Sequence, residues 1–425
     1  MDSVTSLQSI KHPLLPYRIA LVLASPLLLG YTLWRTARDG GTIYLKQRLG
    51  LQLPVLKGPL WTHCASVGEV NAAMPLLKAL RARHPDVPLL VTTNTPTGRQ
   101  VLLQHMLQGA RHAFLPLDFG ACVTRFMDST RPRCALIMET ELWPNLYRQC
   151  AARDIPLVLI NARLSDRTAT APVFMRRAYR YALAGVGAIL ARSASDADKF
   201  KDLGAPRACI ETLGNLKFAP PYDEDQTART ADPVGRPYWL AASTHHDEEL
   251  RIARVWRRLS EHNHLLVIAP RHPERRTEIL RQLRPLGLKI AVRSRGDAVH
   301  SATRIYLADT LGELTVFMTH ASLVLMGGSL IERGGHNLLE PARLGKAVLV
   351  GRHMHHFAEE TQSLLTAEAI MMVRNDHELA YALERLLTDD ELRTALGGRA
   401  AAFIAKQADI VETYLARLEP LCDLR

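Results

Sequence analysis

Short apolar runs alternate with longer amphipathic stretches along this chain, and the alternation unfolds twice. In the first series, residues 61–65, 89–93, 135–138, 157–160, 187–191 and 209–213 each read as a buried strand. Helical periods fill the gaps, most clearly over Val70–Arg83, where Val70, Met74, Leu77 and Leu80 share one face. The second series places strands at 239–242, 265–269, 289–292, 305–307, 323–326, 347–350 and 370–373, with a closing helix over Ala400–Leu418. Unbroken apolar strands separated by helices predict α/β domains with parallel, doubly wound sheets. Between the series, Phe218–Pro237 is proline-rich and acidic and carries no apolar period, which marks a linker. The expected plan is a Rossmann-like domain over 51–217, a linker over 218–237 and a second Rossmann-like domain over 238–425, facing each other across a cleft of the kind substrates favour.

Residues 1–50 stand apart. Ile19–Trp34 is uncharged and bounded by Arg18 and Arg35; sixteen residues at ~1.5 Å each reach about 24 Å, short of the ~30 Å hydrocarbon core. Pro26 can kink it. No cleavage site follows, and residues 1–60 hold seven Lys/Arg against Asp2 and Asp39, so the segment reads as a retained N-terminal anchor with a basic juxtamembrane stretch. The positive-inside rule then leaves the remaining chain on the cytoplasmic side of a membrane.

A formal charge of +11 and a pI near 9.5 call for an anionic partner. No zinc-finger spacing, arginine-glycine tract or RNA-binding aromatic motif accompanies the charge, so nucleic acid is not the expected partner. The six cysteines, at 64, 122, 134, 150, 209 and 422, are scattered and never C-x-x-C, which predicts buried thiols in a reducing compartment. His245-His246 and His353, His355, His356 lack a recognised ligand spacing and read as polar loop residues, so no metal is expected.

Candidate chemistry gathers where strands hand over to helices. Ser66-Val67-Gly68-Glu69 is a capping-box spacing, and equally a carboxylate at the sheet's carboxyl edge able to take a proton. Glu139-Thr140-Glu141 puts two carboxylates at the end of an apolar strand, with Trp143-Pro144 opening a helix; Lys217 lies just before the linker; and Arg271, after a strand, suits bidentate phosphate contact. Thr310-Leu311-Gly312-Glu313 is a further turn of this kind. In Val324–Gly351 a strand ends at Gly327-Gly328, a loop runs through Gly334 and Gly335, and a short helix is expected from Asn337, with Asn337 and Glu340 at capping-box spacing and free N–H groups available to an anion. Without G-x-x-x-x-G-K-[ST] or an early G-x-G-x-x-G, nucleotide hydrolysis and hydride transfer are disfavoured, and a nucleotide bound by the second of two Rossmann-like halves is the layout of a GT-B glycosyltransferase.

Taken in order, ASVGEV (65–70), IMETELWPNL (137–146), LINARLS (159–165), GNLKF (214–218), APRHPER (269–275), DTLGEL (309–314) and GGSLIERGGHNLLEPARLGKAVLVG (327–351) resemble the 3-deoxy-D-manno-octulosonic acid (Kdo) transferases of Gram-negative bacteria. The resemblance implies an inverting, metal-independent GT-B enzyme that moves Kdo from CMP-Kdo onto a lipid A precursor (lipid IVA) at the cytoplasmic face of the inner membrane. It implies Glu69 as general base and Glu139 and Lys217 as transition-state stabilisers. It further implies CMP held by Pro270 and Arg271, by Leu311, Gly312 and Glu313, and by Asn337, Leu338, Leu339 and Glu340, with neither metal nor other cofactor. Leu338 departs from the family's usual proline. The alternatives are a GT-B enzyme using another nucleotide sugar, or an inactive membrane-tethered glycolipid-binding module.

Overall fold

A computed structural model describes residues 13–104, 109–165, 168, 170–220, 231–259 and 263–424. The chain divides into two compact units, 1–222 with 409–425, and 223–408. Half of the expected linker, 221–230, lies outside the described residues.

The first unit holds seven parallel strands: β1 (Leu60–His63), β2 (Leu89–Thr93), β3 (Arg111–Phe114), β4 (Cys134–Met138), β5 (Leu157–Ala162), β6 (Ala188–Ala191) and β7 (Ile210–Thr212). Their order is β3-β2-β1-β4-β5-β6-β7. Helices cover both faces, which is why the central strands are buried at every residue and read as continuous apolar runs. The chain starts at β1, winds outward to β3, then returns to add β4 on the other side of β1. A crevice therefore opens between the carboxyl ends of β1 and β4, the switch point at which open α/β sheets take ligands.

The N-terminal segment is not one straight helix. Leu15–Leu23 and Ser25–Arg35 break at Ala24, with Pro26 in the first turn of the second, where a missing N–H is tolerated. No single helix among the described residues is long and apolar enough to cross a membrane; only the bent pair, angled by 54°, meets that test. Leu14 and Tyr17 pack on Ala178 of the helix Val173–Leu183, and the Tyr17 hydroxyl donates to buried Asp118 at 2.7 Å. The expected boundary at residue 50 is corrected: the helix Gly41–Arg48 belongs to the folded unit. Tyr44 meets Phe114 edge-on, Gln47 accepts the Phe114 N–H, and Arg48, expected in the basic juxtamembrane stretch, donates to Leu115 O and Asn94 Oδ1.

The C-terminus is also corrected. In place of one helix over 400–418 there are two, Asp390–Ala405 and Ile410–Leu421. The second belongs to the first unit, not to a domain running to 425. Its Tyr414 is fully buried there, and Cys422 is disulfide-bonded to Cys134 at the start of β4, against the expectation of six thiols. Residues 288 apart in sequence are brought together by the return of the chain, which spacing alone does not reveal.

The second unit repeats the plan with β8 (Tyr238–Thr244), β9 (Leu265–Pro270), β10 (Ile290–Val292), β11 (Ile305–Leu307), β12 (Leu323–Met326), β13 (Ala347–Gly351) and β14 (Met371–Val373). All are parallel, in the order β10-β11-β9-β8-β12-β13-β14, so its switch point lies between β8 and β12. Trp239 of β8 stacks edge-on with Trp256 at the core. At the switch point the strand ends run too close for a side chain, since a Cβ on Gly327 would stand 2.4 Å from the Ser243 carbonyl oxygen.

Candidate active site

In the first unit, β1 and β4 deliver two carboxylates to the switch-point crevice. The helix Val67–Arg83 is capped by Ser66, whose hydroxyl oxygen accepts the Glu69 N–H, while Glu69 reaches back to accept the Ala65 N–H at 2.8 Å and the Ser66 hydroxyl at 3.0 Å. Glu69 is thus a genuine capping residue, but an atypical one. Only 9% exposed, its carboxyl is pushed up to about 8 by burial and then by the charge of Glu139, against the pull of its two hydrogen bonds.

Glu139 follows β4 in the left-handed conformation at φ 52°, with its N–H on the Ile160 carbonyl. Lys217 Nζ lies 3.8 Å from one carboxylate oxygen and Arg163 Nη1 lies 3.5 Å from the other. The structure therefore brings Glu69, Glu139 and Lys217 into one cluster. Arg163 was not singled out; the only signal was its place directly after β5, inside LINARLS. Glu141 adds its charge to the upward push on Glu69, but its own hydrogen bonds go elsewhere. It turns toward Trp143 Nε1 at 2.8 Å, Asn94 Nδ2 at 3.2 Å and His63 Nε2 at 3.7 Å. Burial raises its pKa, and hydrogen bonding to and the charge of His63, with Trp143 and Asn94, outweigh that and lower it.

In the second unit, a cavity of about 140 Å³ opens at the carboxyl ends of β8, β9 and β11, lined by Ser243, Pro270, Arg271, Thr310, Leu311, Gly312 and Phe317 among others. Four of the residues expected to hold a nucleotide line it together. Arg271 is exposed and anchored by its N–H to Thr244 O; Leu311 is 83% exposed at the lip; Gly312 takes φ 83°. Glu313 does not line the cavity. Its carboxylate is engaged by Arg293 at 2.7 Å and by the Thr310 hydroxyl, and these contacts lower its pKa.

The Asn337 stretch differs from expectation. The helix is Leu339–Arg343, beginning two residues late and only five long. Asn337 Oδ1 accepts the Leu339 N–H at 3.1 Å and Asn337 Nδ2 donates to Glu340 at 2.9 Å, so the stretch satisfies itself. Leu338 and Leu339 are 0% and 2% exposed, their side chains in the core, which leaves them only backbone to offer a ligand. Glu340 is raised by burial, against Asn337, Arg343 and Arg271, and so lies within reach of the Arg271 charge. His245 also departs from a solvated loop role. Its ring stacks on His336 with Nε2 atoms 2.7 Å apart; burial lowers both to about 4, helped by Arg333 at His245 and by His245 and then Arg271 at His336, so the pair is neutral at pH 7. Fully buried Glu248 fixes this corner by accepting the N–H groups of His245, Gly328 and Leu330. Among the described residues no group of three or more His, Cys, Asp or Glu side chains is placed to hold a metal ion.

Comparison with known proteins adds a second, independent line. The family model described as 3-deoxy-D-manno-octulosonic-acid transferase (kdotransferase) matches residues 44–220. A 3-deoxy-D-manno-octulosonic acid transferase of Bordetella pertussis is 33% identical over 95% of this chain and 98% of its own length. One from Haemophilus influenzae is 32% identical over 85% of this chain and 86% of its own. Among solved structures, a glycosyltransferase from Rickettsia africae superposes with TM-score 0.58 at 10% identity, over 87% of this chain and 98% of its own. A UDP-GlcNAc 2-epimerase from Neisseria meningitidis does so with TM-score 0.56 at 15% identity, over 84% and 100%. At such identities these two show the fold alone.

Proposed function

The chain belongs to the 3-deoxy-D-manno-octulosonic-acid transferase family of glycosyltransferases, and from that premise we propose that it moves Kdo from CMP-Kdo onto a lipid A precursor, lipid IVA, by inverting, metal-independent transfer. The setting is the cytoplasmic face of a bacterial inner membrane, with the bent N-terminal helix pair as anchor. In this reading the acceptor hydroxyl oxygen bonds to the anomeric carbon of Kdo, the bond from that carbon to the CMP phosphate breaks, and the hydroxyl proton passes to Glu69. A base with a pKa near 8 is matched to this task, and such groups contribute ~10²- to 10⁴-fold. Charge grows on the departing phosphate, and in place of a metal each unit offers a cation for it: Lys217, oriented by Glu139, in the first, and Arg271 at the nucleotide cavity in the second. In this reading Pro270, Arg271, Leu311 and Gly312 hold the nucleotide, Glu313 orients the turn through Arg293, and Asn337 through Glu340, which do not line that cavity, reach the nucleotide from beside it, Leu338 and Leu339 by backbone only.

The observation that carries the reading is the buried Glu69 carboxyl at the switch point, sharing its crevice with Glu139 and the Lys217 and Arg163 cations. The test is mass spectrometry of the product formed from CMP-Kdo and lipid IVA, with UDP-sugars as control donors. A product heavier by one or more Kdo units is expected, absent with Glu69→Ala while that variant still binds CMP-Kdo. Turnover by Glu69→Ala would remove Glu69 from the role of base, and transfer from a UDP-sugar alone would remove the donor assignment.

A further inference from the structure

Away from both switch points, the first unit carries a second cavity, of about 240 Å³, or about eight waters at ~30 Å³ each. Arg176, Arg177 and Arg180 of the helix Val173–Leu183 and Lys199 of the helix Ala194–Leu203 line it, against a single acid, Asp202. Arg176 and Arg177 are exposed and have no acidic partner among the described residues. Like charges grouped in one concavity create a positive potential that draws anions.

The same helix exposes apolar side chains between its arginines: Val173 at 57%, Phe174 at 38% and Tyr181 at 43%. Val173, Arg177 and Tyr181 follow one another at four-residue spacing on one face. The adjoining helix Leu15–Leu23 packs on it through Leu14 and Tyr17 and leaves Leu15, Ile19, Val22 and Leu23 between 50% and 75% exposed. Apolar and basic groups interleaved on one helix, beside a second helix with a bare apolar side, form the pattern of a surface seated at the boundary of headgroups and acyl chains. We propose that this cavity binds the phosphate headgroup of an anionic membrane phospholipid, with Arg176 and Arg177 as its principal ligands and Arg180 and Lys199 completing the charge. The proposal rests on the reading of the N-terminal helices as membrane-apposed.

Flotation of the full-length protein with vesicles of phosphatidylcholine alone, or containing phosphatidylglycerol, tests it, with free inorganic phosphate as competitor. Arg176→Ala/Arg177→Ala is compared with Arg257→Ala/Arg258→Ala, which removes the same charge from exposed positions in the second unit. Wild type and the control pair are expected to bind the anionic vesicles more tightly than the neutral ones. The Arg176/Arg177 variant is expected to lose on the order of 10- to 30-fold toward anionic vesicles only. Equal binding of wild type to both vesicles overturns the headgroup site while leaving the membrane-apposed reading intact, and absence of binding to either overturns both. An equal loss in the two variants reduces the effect to net charge and overturns the site. Displacement by millimolar free phosphate would show an anion site that does not need a lipid and would overturn the lipid assignment.

Discussion

Replacing Glu69 by Gln separates its cost to folding from its use. The side chain accepts the Ala65 N–H and meets Ser66, and Gln keeps both contacts with an amide oxygen and an NH₂ facing the hydroxyl. In the unfolded chain the carboxyl titrates near 4.5; in the folded unit it titrates near 8. Between those values the folded state holds a proton that the unfolded state has released, so stability falls as pH rises from about 4.5 to 8 and is flat below. At ~1.4 kcal/mol per pH unit the full span amounts to at most ~5 kcal/mol. Glu69→Gln escapes this penalty. Its stability advantage over wild type should be smallest near pH 5 and grow toward pH 8, where melting followed by fluorescence should shift upward on the order of 10 °C for a unit of this size. The same variant should lose ~10²-fold or more in transfer. A variant less stable than wild type at pH 8, or a gap that does not change with pH, would refute the burial argument. An unchanged transfer rate would refute the proton-acceptor role even if the stability result held.

Glu139→Gln removes the like charge that helps to hold Glu69 high, so the acidic limb of the pH–rate profile should move to lower pH; a limb that stays in place or rises would show that Glu139 does not act on Glu69. Gly327→Ala places a methyl against the Ser243 carbonyl at the second switch point and should cost ~1–3 kcal/mol or more in urea unfolding of the second unit, with loss of donor binding; wild-type stability would mean that the two strand ends can part without consequence.

Most of the two sheets was legible because parallel strands covered on both faces are apolar at every position, as in Leu323–Met326 and Leu157–Ile160. The strand Arg111–Phe114 was not, since it lies at a sheet edge and opens with exposed Arg111 and half-buried His112, which break the apolar run. Ser66 to Glu69 was legible as a cap from its spacing; that the same carboxyl is raised to about 8 depends first on its burial in the fold and then on Glu139, seventy residues away and close only through the β1–β4 pairing. Arg163 and Arg293 were missed for a similar reason. Each directly follows a strand with nothing local to mark it, and its meaning comes from the acid it meets, Glu139 or Glu313. The Asn337 spacing did announce a cap, but two residues early, because Asn337 closes a local turn of its own before the helix begins.

The return of the C-terminal helix to the first unit acquires a purpose in this light. Asn161, the next-to-last residue of β5, is in the left-handed conformation, at φ 50°, a strain that non-glycine residues keep only where packing enforces it. Its N–H is held by the Tyr414 hydroxyl at 3.2 Å, and that hydroxyl in turn donates to the Gly214 carbonyl at 3.0 Å. Asn161 Oδ1 accepts the Leu216 N–H at 3.0 Å, fixing the residue before Lys217. A buried tyrosine, contributed after the chain has completed its second sheet, thus braces both strands of the turn that brings Lys217 to Glu139. Lys217 is a long, flexible side chain, and holding its ammonium 3.8 Å from a carboxylate needs a rigid base more than it needs a strong ion pair. The last helix is therefore part of the machinery that positions the candidate catalytic lysine, and a chain truncated before Ile410 would retain every residue of the carboxylate–lysine cluster while losing the brace that sets its geometry.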